Sequence, residues 1–208
     1  AGGQSYQFAW IYGIVLAFLV AIVIIGGIKR IGAATSRIVP IMAGVYCLAA
    51  LYVLLIHLPE IPGAIGLMLE SAFTAEAAGW GGALSVFVWG VRRAAFSNEA
   101  GIGSASIAHS AAKTKEPIRE GIVALMEPFI DTVLICNVTA LVIILTGAYT
   151  DTTIGDGILL TKTAFGQVLP WFPWVLAICV MLFAYSTMIS WAYYGERGWI
   201  WLLDHIKP

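Results

Sequence analysis

The chain has 208 residues, 60% hydrophobic and only 11% charged, with a net charge of -1 and a mean hydropathy of +0.90. That charge balance points to no nucleic-acid partner. Cys47, Cys136 and Cys179 fall in apolar stretches without a CxxC or Cys/His pairing, so they read as small packing residues and support neither a disulfide framework nor a metal site.

Apolar runs of the length needed to cross a bilayer, about 20 residues each, recur along the chain and mark an all-α integral membrane protein. Five spans are predicted, at about 7–28, 38–58, 82–112, 121–148 and 172–194. Pro40 lies near the start of the second and Pro59 stops it. Lysine and arginine placement sets the orientation. Lys29, Arg30 and Arg37 separate the first two spans, Lys113, Lys115 and Arg119 separate the third and fourth, and Arg197 follows the fifth. The segment 59–81 has no basic residue and carries Glu60, Glu70 and Glu76; the segment 149–169 sets Asp151 and Asp156 against Lys162. The basic connections are therefore expected on the cytoplasmic side, with the first span entering from outside. The two outer connections, around 66–73 and 157–165, each read as a short amphipathic helix at the surface. An odd number of spans starting outside, with no initiator methionine, is expected of an internal piece of a larger protein, and residues 1–208 are taken as a single transmembrane domain.

The third span is interrupted by Phe96-Ser97-Asn98-Glu99-Ala100-Gly101-Ile102-Gly103-Ser104-Ala105. In hydrocarbon, backbone N–H and C=O groups must find partners, so a helix opens only where the freed groups line a cavity or bind something. Gly101 and Gly103 let the backbone leave helical geometry cheaply. A half-helix beginning after the break would offer N–H groups to a carboxylate, and the preceding half would offer carbonyls to an ammonium. A small zwitterion fits both ends. The competing reading is close helix packing by small residues, but Asn98 and Glu99 are costly additions to a packing face.

Other polar residues carry two readings each. Arg92 and Arg93, one turn before the break, either line a water-filled path, pair with Glu99 or Asp131 as a gate, or snorkel to the interface. Asp131 in the fourth span serves an arginine, a coupling proton or a helix-anchoring hydrogen bond. His109 reads as interfacial. The sequon Asn137-Val138-Thr139 lies within a span and is out of reach of glycosylation. In the fifth span Ser186 and Ser190 lie one turn apart, as do Thr187 and Trp191, so one face offers hydroxyls to a hard cation. Tyr193, Tyr194, Trp199 and Trp201 suit an interfacial aromatic belt.

The sequence Gly90-Val91-Arg92-Arg93, then 96–101, then Phe129-Ile130-Asp131-Thr132, and finally the stretch 183–196 resemble the alanine/glycine:cation symporters. The resemblance implies a leucine-transporter-like bundle of ten core helices in two inverted repeats, of which this chain is similar to helices four to eight. It implies a prokaryotic plasma-membrane carrier that moves alanine or glycine with Na+ or H+ and needs no enzymatic cofactor. The implied substrate contacts are Phe96, Ser97, Asn98, Gly101, Thr187 and Trp191, with Ser186 and Thr187 as sodium ligands. The lipid bilayer and the remaining helices of the transporter are the other expected partners. Two rival functions stand beside it. An intramembrane hydrolase would use Ser97 or Ser104 with His109 and Asp131, but no nucleophile motif is present. An ion channel would need a charge ring or a repeated filter sequence, and neither appears.

Overall fold

A computed structural model describes residues 9–73, 82–99, 101–151, 153–154 and 157–206. Among these residues every regular element is helical. In chain order they are α1 (Ala9–Ile24), α2 (Gly27–Ile56), α3 (Ile61–Phe73), α4 (Gly82–Ser97), α5 (Ala105–His109), α6 (Pro117–Pro128), a π-helix (Phe129–Cys136), α7 (Asn137–Leu145), α8 (Ile158–Val168) and α9 (Phe172–Ile206), with short 3-10 turns at Leu58–Glu60 and Ala148–Thr150.

Among the described residues three helices are long and apolar enough to cross a membrane: Gly27–Ile56, the continuous run Pro117–Leu145, and Phe172–Asp204. The five expected crossings thus become these three, the shorter apolar α1 and the interrupted α4–α5 segment. With 16 described residues α1 is about 24 Å long, less than the roughly 30 Å of a hydrocarbon core; its expected start at 7 lies outside the described residues.

The second span begins earlier than expected, at Gly27 rather than near 38. Lys29, Arg30 and Arg37 therefore ride on α2 and are not in a loop. Lysine and arginine are good helix formers, and their long stems carry the charge away from the apolar face. The corner between α1 and α2 is tight: Gly27 takes a left-handed φ of 64°, and Arg30 Nη1 donates to the Ile22 carbonyl at 3.0 Å. Pro40 is accommodated inside α2. The fifth span is longer than expected, running as one 35-residue helix that carries Arg197 within it.

The chain divides into two compact units, 45–176 and the combination of 1–44 with 177–208. In the first, the core gathers Ala49, Ala50 and Val53 of α2, Val142 of α7, Ala148, Phe165 of α8, and Phe172 and Leu176 of α9. Phe165 is fully buried, its ring 5.5 Å from Tyr46 and 4.9 Å from Phe172. The outer connections do form helices, α3 and α8, and both pack on α7. Helix α8 is anchored by Phe165 in the core instead of lying only on the surface, because its apolar residues cover one side of α7. Tyr46 and Thr139 share a hydroxyl hydrogen bond of 2.5 Å that pins α2 to α7. In the second unit Ile31, Cys179, Ser186, Ile189 and Tyr193 are buried, and Tyr185 donates to the Leu19 carbonyl at 2.9 Å.

Candidate functional site

Helix α4 ends at Ser97, and the next helix begins at Ala105. The turn is built from left-handed residues: Glu99 at φ 56°, Gly101 at 83° and Gly103 at 90°. A Cβ placed on Gly101 or Gly103 would meet nothing within 4 Å. Glycine is needed there for its backbone freedom, not for space. Glu99 has no such freedom, and its strained conformation is compensated by the Ser104 hydroxyl, which donates to its carboxylate across the turn. Ala100 and the side chain of Phe96 lie outside the described residues, so the expected Phe96 contact has no geometry here.

The polar residues of the break do not stand free. Ser97 Oγ donates to Asp131 Oδ2. Asn98 Nδ2 donates to Thr132 Oγ1 at 2.6 Å, and Asn98 is buried. These two rungs join the end of α4 to the π-helix. A bond to a charged acceptor contributes about 1.5–3 kcal/mol, and one between neutral groups about 1 kcal/mol. Of the readings open for Asp131, the geometry realises the inter-helix hydrogen bond.

The segment after the break is shorter than a strong dipole requires. Helix α5 has five residues, and Ser104 at its start makes no side-chain cap. Anion binding by its N-terminus is correspondingly weak. At its other end His109 Nδ1 lies 2.7 Å from Glu120 Oε1 and Nε2 lies 3.7 Å from Glu127 Oε2, both on α6. The imidazole thus faces carboxylates, while Ser97 and Ser104 donate to Asp131 and Glu99. No serine–histidine pair forms among the described residues. Arg92 lies over the Trp89 ring at 5.6 Å, and among the described residues neither Arg92 nor Arg93 pairs with a carboxylate.

On α9 the hydroxyls of Ser186 and Thr187 both donate to the Phe183 carbonyl, at 2.8 and 3.0 Å. Each oxygen keeps its lone pairs for an outside ligand. Ser186 is buried, whereas Thr187 is exposed together with Trp191, whose ring packs edge-on against Tyr194 at 5.6 Å. The donor set suits a hard cation that takes oxygen ligands.

Two further residues, Thr132 and Asn137, bond in or beside the break's contact with the π-helix. Both were visible as polar intrusions in an apolar run, but nothing in their spacing announces a π-helix.

Long apolar helices, one of them interrupted by a polar break that a neighbouring helix holds, are the architecture of an integral membrane protein. A profile of the sodium:alanine symporter family matches residues 3–207. The chain belongs to that family. It is 43% identical over 196 residues to the sodium/alanine symporter AgcS of Methanococcus maripaludis, covering 93% of this chain and 43% of that protein. It is 40% identical over 189 residues to the amino-acid carrier protein AlsT of Bacillus subtilis, covering 90% and 40%. The probable sodium/glutamine symporter GlnT of Bacillus subtilis is 35% identical over 187 residues, covering 89% and 39%. The chain spans less than half the length of these curated relatives.

Proposed function

We propose that this chain forms part of a sodium-coupled symporter for small neutral amino acids, alanine or glycine, in a prokaryotic plasma membrane. The observation that carries the reading is the opened helix at 98–104, tied through Ser97 and Asn98 to the π-helix, in a member of the sodium:alanine symporter family. The turn gives a zwitterion backbone polar groups and the amide of Asn98, while Ser186 and Thr187 offer hydroxyl oxygens to Na+. Trp191 limits the size of the side chain admitted. In this reading the chain supplies core helices four to eight of a leucine-transporter-like bundle, and the remaining helices complete both sites. Bound ion and bound substrate favour the same conformation, so each raises the affinity of the other by the same factor.

The test is uptake of labelled alanine by the full-length transporter in proteoliposomes, with sodium and proton gradients imposed separately. Saturable uptake driven by the sodium gradient, competed by glycine and less by glutamine, is the expected result. Uptake driven only by protons would replace Na+ as the coupling ion. Uptake of glutamine in preference to alanine would overturn the size assignment.

A further inference from the structure

The segment Phe129–Cys136 is an eight-residue π-helix inside the 29-residue run Pro117–Leu145. Helices of this kind are rare, occur mostly as single widened turns and concentrate at functional sites. This one therefore needs something to hold it. Pro128 precedes it and brings no N–H to the ladder. At its far end the backbone N–H of Asn137 donates to the Leu134 carbonyl. The Asn137 side-chain amide reaches back to the carbonyls of Val133 at 2.9 Å and Thr132 at 3.3 Å. One side chain thus clasps two consecutive carbonyls of the widened turn. Thr132 is also the residue that receives Asn98, and its neighbour Asp131 receives Ser97.

We infer that Asn137 is a positioning residue for the break: it holds the π-turn that presents Asp131 and Thr132 to Ser97 and Asn98. If the turn tightened to ordinary α geometry, the residues within it and beyond it would rotate about the helix axis, and residues 131 and 132 would point further apart. Both rungs would then lose their alignment, although Asn137 itself bonds to neither partner in the break. The inference rests on the reading of the break as the substrate site.

Two measurements on the full-length transporter test it. The first needs no transport: oxidative cross-linking of Ser97→Cys to Asp131→Cys, with and without Asn137→Leu. We expect Asn137→Leu to slow cross-linking about tenfold, the factor that corresponds to about 1.4 kcal/mol. Equal rates would overturn the inference whether or not the protein carries alanine. The second is alanine uptake. Asn137→Leu should raise KM about tenfold while Vmax stays within about twofold, because the loss falls on binding geometry. Asn137→Ser, whose hydroxyl can still reach a carbonyl one turn back, should restore most of the affinity. A fall in Vmax or in protein yield with unchanged KM would make the residue merely structural and overturn the positioning role. Absence of alanine uptake by the unmodified protein would instead remove the proposed function, leaving the cross-linking result to decide the geometry.

Discussion

The broken segment and α9 satisfy their polar groups in opposite ways. In α9, Ser186 and Thr187 both donate to the carbonyl of Phe183 within the same helix, and the helix runs unbroken for 35 residues. At the break, Ser97 and Asn98 reach residues 34 positions away. A helix that closes its own hydrogen bonds keeps its geometry whatever its neighbours do. A break closed by another element has only the geometry that element imposes. The first is a platform and the second is a joint, the division that the proposed function would need.

The largest effect should come from cutting the joint. Asp131→Leu removes the acceptor of Ser97, and a charge-assisted bond is worth about 1.5–3 kcal/mol. Alanine affinity should fall on the order of tenfold to a hundredfold, read as a rise in KM. Asp131→Asn, which keeps an acceptor oxygen, should lose less. Equal losses would mean that the charge matters beyond the bond to Ser97.

Glycine substitutions extend the contrast to stability. Gly101→Ala and Gly103→Ala put a side chain on backbones at φ 83° and 90°, costing about 1–2 kcal/mol each even though a Cβ meets no obstacle there. Gly195→Ala in α9 meets nothing within 4 Å and needs no positive φ, so it should stabilise by up to about 1 kcal/mol through helix propensity. Thermal unfolding of the purified protein would report opposite signs for the two regions. The same sign at both would erase the distinction.

Trp191→Ala tests the proposed pocket wall on α9. Removing this half-exposed ring should widen the substrate range toward larger apolar amino acids. The gain relative to alanine should be on the order of tenfold, since each methylene accommodated in a pocket is worth about 1–3 kcal/mol. Competition uptake with leucine measures it. An unaltered range would show that Trp191 is not the wall.

Much of this contrast is written locally in the chain, and some of it is not. The break is legible because Gly101 and Gly103 supply left-handed geometry that no other residue adopts cheaply, and because Asn98 and Glu99 sit where an uninterrupted apolar helix would exclude them. The hydroxyl spacing of α9 is legible because helical periodicity fixes which residues share a face. The π-helix is not. Its turn depends on Asn137 bonding back to Thr132 and Val133 and on rungs to residues far away in sequence, and hydropathy carries no trace of either. The early start of α2 escaped for a different reason: Lys29, Arg30 and Arg37 look like loop charges until Arg30 is seen closing the corner onto Ile22.

The smallest effect concerns a self-contained polar group outside the spans. Asp151, after the 3-10 turn Ala148–Thr150, accepts from the Thr153 hydroxyl at 2.6 Å and the Thr153 N–H at 2.9 Å. Those bonds favour the ionised form and hold its carboxyl below the ordinary carboxylate value. A depressed pKa means that the folded state gains stability above the unfolded pKa and loses it as pH falls through the folded one. Because Asp151 is fully exposed, the gain is small and best seen as a titration shift by NMR. Thr153→Val should move the Asp151 titration back toward the ordinary value by removing the hydroxyl. Asp131→Leu should leave the Asp151 titration where it is, because a group closed within three residues takes nothing from the joint. A shift of Asp151 in the Asp131 variant would show that the loop and the break are mechanically connected, and the contrast between self-closed and cross-closed segments would fail there.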